Sequence, residues 1–395
     1  MTSEWRTIRA ADFIDFNPRL SLKKGDIATK VAMDKLKPFT KKIPETEKAE
    51  FNGGAKFCNG DTVMARITPC LENGKTAYVD MLDDGEIGFG STEFIVMRAK
   101  TGISDPQFVY YTAINPVFRN VAIKSMVGSS GRQRVQQSVL EELELSVPDL
   151  DEQRRIGDFL ARIDEKIALN DRINDNLEQQ AQAIYHERFE TVSPNDLPSE
   201  WRIVTLGEVA TISNKSFNPL KEPEILLEHY SIPAFDEARF PVFELSTSIK
   251  SNKFIIDASC FMISKLNPTT KRVWKPYCLT GNAVCSTEFI VYKAKDKTIT
   301  DFLYSVIDSN SFSDFMCSHV TGSTGSRQRT TPSDTLSYEL ILPSEDELAE
   351  FQSLVSPMYA QIRINAIEND RLKRLRDSLL PKLMSGEIDV SAVQL

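Results

Sequence analysis

The sequence predicts an α+β protein in which two mixed α/β domains are joined by two long helices that pair antiparallel as a coiled coil. Two observations predict the helices: apolar residues and asparagines recur at alternating steps of four and three over residues 152–190, and the same spacing returns near the C-terminus. A third predicts the duplication, because short motifs of the first half reappear 195 residues later. The chain is therefore expected to be an internal pseudo-twofold repeat.

The two helices carry matching seams. The first is formed by Ile156, Leu160, Ile163, Ile167, Asn170, Asn174, Leu177, Ala181 and Ile184, and the second by Met358, Ile362, Asn365, Asn369, Leu372 and Leu379. A heptad seam needs a partner helix to cover it, and each helix can cover the other. We expect the asparagines to fix the register, since a polar core residue disfavours misaligned pairing. The alternative is that they face solvent on slightly rotated helices.

These patterns divide the chain into six segments. The predicted boundaries are a first domain over 1–150, a central helix over 151–190, a linker over 191–200, a second domain over 201–343, a C-terminal helix over 344–386 and a tail over 387–395. The linker reads TVSPNDLPSE, which has the Pro, Ser, Asn and Asp content of a loop.

The first domain reads as alternating short strands and helices. Strand-like runs occupy 62–67, 75–79, 93–97 and 143–147. A helix is expected after Asp105, which would cap it, with Pro106 in its first turn, and Pro116 should break or restart it. A glycine-rich loop over 128–134 follows.

The second domain retraces the first. Residues 91–96 (STEFIV) reappear as 286–291, and Arg132-Gln133-Arg134 reappears as Arg327-Gln328-Arg329 behind another glycine loop. Between these anchors the halves diverge, for example over 20–60 and 215–255. A repeated scaffold with different surfaces suits a protein that grips two unlike targets in the same way.

Composition and motifs argue against several classes of protein. No run of about eighteen apolar residues exists, and the N-terminus has neither a basic flank nor an apolar core, so we expect a cytoplasmic protein without a membrane contact. The six cysteines form no CxxC pair and only three histidines accompany them, which argues against zinc and favours reduced, buried thiols. Glu93 and Glu288 could be paired acids, but Ser-Thr-Glu at a strand entrance favours hydrogen bonding that fixes the fold. No catalytic constellation emerges.

Binding remains the expected role, although the net charge of −9 argues against a chain that coats nucleic acid unaided. The two Arg-Gln-Arg loops offer guanidinium and amide forks that suit phosphate oxygens and base edges. A basic stretch in the first domain and a basic-aromatic stretch in the second add positive charge. The candidate DNA-binding residues are Arg132, Gln133, Arg134, Arg327, Gln328, Arg329, Lys23, Lys24, Lys41, Lys42, Lys271, Arg272 and Lys275; Lys35, Lys37 and Lys56 lie in the first stretch, and Lys265, Trp274 and Tyr277 in the second. Either stretch could instead be a plain solvated face.

Two strings give these features a family context. Residues 150–156 (LDEQRRI) open the central helix, and residues 376–388 (RDSLLPKLMSGEI) close the second. With the two variable domains, they make nearly the whole chain resemble the specificity subunit of a type I restriction-modification enzyme. The second half departs from the pattern at residues 344–348 (SEDEL), where the Glu-Gln pair is missing.

The resemblance implies that each domain is a target recognition domain reading one half of a bipartite, asymmetric site in double-stranded DNA. It also implies that the helices set the spacer and dock two methyltransferase subunits, through which restriction subunits join. The chain itself would hold no cofactor and no metal and would perform no chemistry. S-adenosylmethionine, ATP and magnesium would belong to the partner subunits.

Three other interpretations stay open at this point. The chain could be a scaffold that joins two protein partners through its domains, without nucleic acid. It could be the specificity subunit of a system that fuses nuclease and methyltransferase in one partner. An enzyme acting alone is disfavoured by the missing catalytic motifs.

Overall fold

The computed structural model describes residues 5–193, 195–321 and 328–393. The helices are α1 Ala10–Phe13, α2 Pro106–Ile114, α3 Pro116–Lys124, α4 Gln137–Glu141, α5 Leu150–Tyr185, α6 Leu206–Val209, α7 Ile232–Ala238, α8 Thr300–Ile307, α9 Asn310–Ser318 and α10 Glu345–Ser385. A π-helical turn, His186–Glu190, extends α5.

The strands are short, and in chain order they come both before and after α5. They are β1 Arg6–Arg9, β2 Ile14–Phe16, β3 Ile27–Val31, β4 Glu47–Glu50, β5 Ala55–Phe57, β6 Thr62–Ala65, β7 Thr76–Tyr78, β8 Gly88–Gly90, β9 Phe94–Ala99, β10 Glu144–Val147, β11 Arg202–Thr205, β12 Ala210–Ile212, β13 Ser216–Phe217, β14 Leu226–Tyr230, β15 Val242–Leu245, β16 Lys253–Ile255, β17 Cys260–Ser264, β18 Val273–Trp274, β19 Ala283–Ser286, β20 Phe289–Ala294, β21 Val320–Thr321, β22 Arg329–Thr330 and β23 Glu339–Leu342.

The chain forms two compact units, one of residues 1–169 with 368–395 and one of residues 170–367. We call them unit 1 and unit 2. Each contains one of the predicted domains together with part of both long helices.

Unit 1 is built from two four-stranded sheets and the helices that cover them. One sheet has the order β2-β9-β6-β7 and is antiparallel, and the other has the order β4-β3-β8-β5 with a parallel β3–β8 pair. Its main core contains Phe13, Met64, Ile95, Phe108 and Tyr111, each at most 1% exposed. Such burial is the principal source of the unit's stability.

The predicted helix after Asp105 is confirmed. The Asp105 carboxylate accepts a hydrogen bond from the Phe108 N–H at 3.0 Å, and Pro106 occupies the first turn of α2. The predicted break at Pro116 is also confirmed, because Asn115 ends α2 and caps α3, accepting from the Val117 N–H at 3.0 Å. Both prolines lie in the first turn of a helix, where a backbone N–H has no intrahelical acceptor, so the missing proline N–H costs no hydrogen bond.

Unit 2 repeats the topology of these two sheets, with one additional strand. Its sheets have the orders β12-β20-β17-β18 and β13-β16-β19-β14-β15, and β14 and β19 pair parallel as β3 and β8 do. The five-stranded sheet carries β13 beside β16, at the position where β5 forms the edge of the sheet in unit 1. The predicted α+β class and the internal repeat are therefore confirmed, and the halves differ at that edge.

The two long helices pair antiparallel inside each unit. In unit 1, Asp164 of α5 contacts Arg376 of α10, and three residues later Ile167 accepts from Asn369. In unit 2, Asn174 contacts Asn365, and the Tyr185 ring lies 6.3 Å from that of Phe351. In both units the residue numbers of α5 increase as those of the contacted residues of α10 decrease, so the helices are antiparallel.

The seam asparagines belong to this packing. Asn170 is 1% exposed and Asn365 and Asn369 are each 4% exposed, so the alternative that they face solvent is wrong for these three. Asn365 Nδ2 donates to Asn174 Oδ1 at 2.8 Å. An amide pair between helices disfavours shifted pairings, so this contact agrees with the register role expected of the asparagines.

Two further properties of the chain concern membranes and thiols. Across the described ranges, none of the helices combines the length and the apolar character that crossing a bilayer requires. All six cysteines are free thiols, but only Cys260 and Cys285 are buried, so the expectation of buried thiols is wrong for the other four.

Candidate nucleic-acid interface

The glycine loop of unit 1 presents its arginines from a pinned backbone. Gly128 and Gly131 have φ of 136° and 77°, which favour glycine. At the base of the loop, Val127 and Arg134 exchange backbone hydrogen bonds of 2.9 and 3.0 Å, and Gln133 accepts from the Thr68 N–H at 3.0 Å. The loop is therefore held at its base while residues 128–132 remain exposed.

Arg134 is locked to Glu93. Its Nε and Nη2 donate to both carboxylate oxygens at 2.6 to 3.0 Å. These hydrogen bonds, with the charges of Arg134 and Arg66, lower the pKa of Glu93. The Glu93 N–H also donates to Ser91 Oγ at 3.1 Å, so the Ser-Thr-Glu motif does fix the fold, as its position at a strand entrance favours.

Unit 2 repeats this arrangement. Arg329 donates from Nε and Nη2 to the two oxygens of Glu288 at 3.0 and 3.1 Å, and Gln328 accepts from the Asn267 N–H at 3.0 Å. Residues 322–327, which include Arg327 and the second glycine loop, lie outside the described residues. The sequence predicts that both Arg-Gln-Arg motifs act alike, and their second arginine has the same acidic partner in each unit.

The structure therefore gives the two arginines of the first motif different roles. Arg134 holds the loop. Its Nε and Nη2, which the sequence assigns to phosphate or base edges, already donate to Glu93. Arg132 is exposed, and its side chain forms no hydrogen bond or ion pair with the described part of the chain. Gln133 and Gln328 are half-buried.

The basic stretch of unit 1 is only partly a surface. Lys23 and Lys24 are exposed, and Lys42 pairs with Asp80. Lys41 is 4% exposed, which corrects the expectation that it belongs to a DNA-facing stretch. It turns inward because the unit provides a polar niche beside the long helix.

Three tyrosine rings and an amide form that niche. Lys41 Nζ contacts Gln107 Oε1 at 2.5 Å and lies 5.0 to 5.5 Å from the ring centres of Tyr78, Tyr110 and Tyr111. Burial lowers the pKa of Lys41 to about 8, although the nearby Asp164 raises it. Aromatic faces stabilise the ammonium, so the cost of burying it is reduced but not removed.

In the predicted basic-aromatic stretch of unit 2, the cations are paired with acids and the aromatic rings are buried. Lys271 pairs with Asp308 at 3.0 Å, Arg272 holds Asp236 at 2.5 and 2.9 Å, and Lys275 pairs with Asp301. Trp274 and Tyr277 are 3% and 8% exposed, so they are core residues and not part of a DNA-facing surface. The three cations remain predicted DNA contacts, each with an acidic neighbour.

A cleft in unit 1 contains cations that reading the sequence largely missed. It has a volume of about 620 Å³ and is lined by Arg19, Lys56 and Arg66, with Asn17, Gly54 and Thr92. Lys56 belongs to the predicted basic stretch, whereas Arg66 ends a strand-like run and Arg19 lies in a segment without a motif. No local pattern could have joined them, because they come from three separate segments.

This collection of groups suits binding through hydrogen bonds and charge. Guanidinium, ammonium and amide donors are the groups that contact phosphates and base edges in nucleic acids. Within residues 5–193, 195–321 and 328–393, no group of three or more His, Cys, Asp or Glu side chains is placed to hold a metal ion.

Comparison with known proteins shows what the chain is similar to. A model described as "Type I restriction modification DNA specificity domain" matches residues 3–179. The chain is 23% identical to the HindI specificity subunit of Haemophilus influenzae over 83% of this chain and 86% of that protein. It is 38% identical to the EcoAI specificity subunit of Escherichia coli, over 26% of this chain and 18% of that relative.

A solved structure supports the fold. The match with the crystal structure of the type I restriction-modification S subunit from M. genitalium covers 96% of each of the two chains, with a TM-score of 0.57 and 16% sequence identity. Residues 3–179 thus match the type I restriction-modification DNA specificity domain, and over most of its length the chain is similar to type I restriction enzyme specificity subunits.

Proposed function

We propose that this chain is the DNA-reading, non-catalytic subunit of a type I restriction-modification complex, and that each unit reads one half of a bipartite, asymmetric site. The observation that carries the proposal is the repeated ion pair, Arg134 with Glu93 and Arg329 with Glu288, which anchors an Arg-Gln-Arg motif in each unit. The match of residues 3–179 to the DNA specificity domain and the similarity to known specificity subunits support the same role.

The anchored loop offers a physical route to recognition. A loop fixed by a bidentate ion pair loses less conformational freedom on binding, so more of its contact energy contributes to affinity. The exposed Arg132 then approaches DNA from a preorganised backbone. Because residues around the two motifs differ between the halves, the two units would read different words.

Two recognition units on one chain also gain from being linked. When the first unit binds, the second faces its own half of the site at a high effective concentration, provided the spacing matches. We propose that α5 and α10 set this spacing and dock two methyltransferase subunits, through which restriction subunits join. S-adenosylmethionine, ATP and magnesium belong to those partners in this proposal, and the complex works in the cytoplasm.

Methylome sequencing of cells with and without the gene tests the proposal. We expect an adenine-methylated motif of two short words around a fixed unspecified spacer, present only with the gene. A protein scaffold without DNA contact predicts no change in the methylome. Replacing the second unit by that of a relative should change only one of the two words.

A further inference from the structure

We propose that the cleft lined by Arg19, Lys56 and Arg66 in unit 1 binds a backbone phosphate of the DNA. This rests on the proposed function and adds a contact that the two Arg-Gln-Arg motifs do not provide. The cleft would position the duplex on unit 1 without reading its sequence.

The charge balance of the cleft is the first argument. Lys42, Lys271, Arg272 and Lys275 each have a carboxylate partner. In contrast, no carboxylate of the described chain forms an ion pair with Arg19, Lys56 or Arg66. Three cations around one cavity repel each other, so an anion that enters is favoured by all three.

Arg66 provides the second argument. It is half-buried, and its Nε is buried without a hydrogen-bond partner among the described residues. A buried N–H without an acceptor is costly, and such groups are rare in folded proteins. A phosphate oxygen in the cleft would supply the acceptor that this N–H lacks.

The position of the cleft beside the Arg-Gln-Arg loop is the third argument. The Arg66 N–H donates to the Glu93 carbonyl at 2.8 Å, and the Val135 N–H donates to the Arg66 carbonyl at 2.8 Å. The backbone of Arg66 is therefore hydrogen-bonded both to Glu93, which anchors the loop, and to Val135, which directly follows the Arg-Gln-Arg motif. A duplex in contact with the exposed Arg132 would run close to the cleft.

The comparison between the two units explains why the cleft is open. In unit 2, β13 is hydrogen-bonded to β16, with Ser216 opposite Phe254 and Phe217 opposite Lys253. In unit 1, the corresponding chain around Leu20 forms no strand on β5, and it lines the cleft with Gly54 and Lys56 instead. The phosphate site is thus a property of the first half of the repeat.

The test measures DNA affinity across a salt series with the full-length chain assembled with its methyltransferase subunits. The probes are a short duplex carrying the motif found by methylome sequencing and the same duplex with the motif shuffled. The variants are Arg19→Gln with Lys56→Gln, Arg66→Gln alone, and Arg66→Lys, which keeps the charge. Arg6→Gln, an exposed charge on β1 outside the cleft, is the matched control.

For each variant that removes charge from the cleft, we expect affinity for both duplexes to fall by the same factor, roughly 3- to 10-fold, and the salt slope to decrease by at most about 1, because the cleft binds one phosphate. Arg66→Lys should keep the salt slope, and Arg6→Gln should match the wild type. A variant that weakens only the motif duplex would indicate base readout and overturn the phosphate assignment.

The two proposals fail in different ways. If the wild-type assembly does not distinguish the motif from the shuffled duplex, the proposed function fails. If it does distinguish them while the cleft variants retain wild-type affinity and salt slope, only the cleft assignment is wrong. Thermal melting of each variant separates a lost contact from a lost fold.

Discussion

Arg134 and Glu93 form a bidentate ion pair at 2.6 to 3.0 Å, and the corresponding residues of the other unit, Arg329 and Glu288, form the same pair. The pair gives the two arginines of the Arg-Gln-Arg motif different roles. Arg134 holds the loop, and Arg132 is available for a ligand.

Changing these arginines one at a time should distinguish the roles. We expect Arg132→Ala to weaken DNA binding by the assembled complex and to leave the protease resistance of residues 128–134 unchanged. Arg134→Ala should weaken binding and also speed cleavage of the loop, because its anchor is lost. Limited proteolysis beside a binding titration measures both effects. Arg327→Ala is expected to weaken binding as Arg132→Ala does, and unchanged binding across a salt series would remove either residue from the interface.

The buried contact between Asp164 and Arg376 should dominate the helix pairing in unit 1. Their side chains are each 5% exposed and 2.5 Å apart, and Asp164 also accepts from the Tyr111 hydroxyl at 2.6 Å. Arg376→Met leaves a buried carboxylate without its cation, so the free energy of unfolding should fall by about 3 to 5 kcal/mol. Urea denaturation measures this.

A second variant shows whether the loss comes from the stranded charge. Asp164→Leu combined with Arg376→Met should cost much less than Arg376→Met alone, because no unpaired charge remains. Arg374→Met, at an exposed i,i+4 pair with Asp370, should change stability by no more than about 1 kcal/mol. Equal losses in the single and double variants would contradict this explanation.

The buried Lys41 predicts a pH dependence of stability. Its pKa is lowered from 10.5 to about 8, so between these values the unfolded chain binds a proton that the folded chain does not. Stability should therefore rise with pH across this window. Replacing Lys41 by Met removes this contribution, and the difference between the two proteins should change by up to about 3 kcal/mol from pH 8 to 10.5.

Urea denaturation at a series of pH values makes the comparison. Taking the difference between wild type and Lys41→Met cancels the titration of tyrosines and cysteines common to both. Lys37→Met, at an exposed lysine of the same segment, should leave the pH dependence as in the wild type. A Lys41→Met profile parallel to the wild-type profile would place the ammonium in a better-solvated site.

The proposed spacing role of the long helices predicts a change in the methylated motif. Inserting one heptad into both α5 and α10 should lengthen the spacer by about 10 Å, or about three base pairs at about 3.4 Å each. Methylome sequencing reads the result directly. Insertion into one helix alone should abolish methylation, because it breaks the pairing, and an unchanged spacer after the double insertion would refute the role.

Much of the fold was predictable because its signals are local or periodic. The seam from Ile156 onward, the cap at Asp105, the break at Pro116 and the repeat of 195 residues are read from the chain itself, and each has its expected counterpart in the structure. The loop with Arg132 and Arg134 was found because the repeat marks it twice.

Reading the sequence could not determine which cations face outward. Lys41 and Lys24 look alike in a basic stretch, yet one is enclosed by tyrosines from distant segments and the other is exposed. The pairing of Lys271, Arg272 and Lys275 with acids likewise depends on contacts over long separations.

The sequence by itself determined the duplicated α+β plan, the long amphipathic helices and the recurrence of the Arg-Gln-Arg motif, because periodicity and repetition are properties of the chain alone. Only the tertiary structure decided that Arg134 is tied to Glu93, that Lys41 is buried and that Arg19, Lys56 and Arg66 share one open cleft. The physical reason is that the surroundings of a charge are set by residues remote in sequence, and these surroundings decide whether the charge is neutralised inside the protein or available to a ligand.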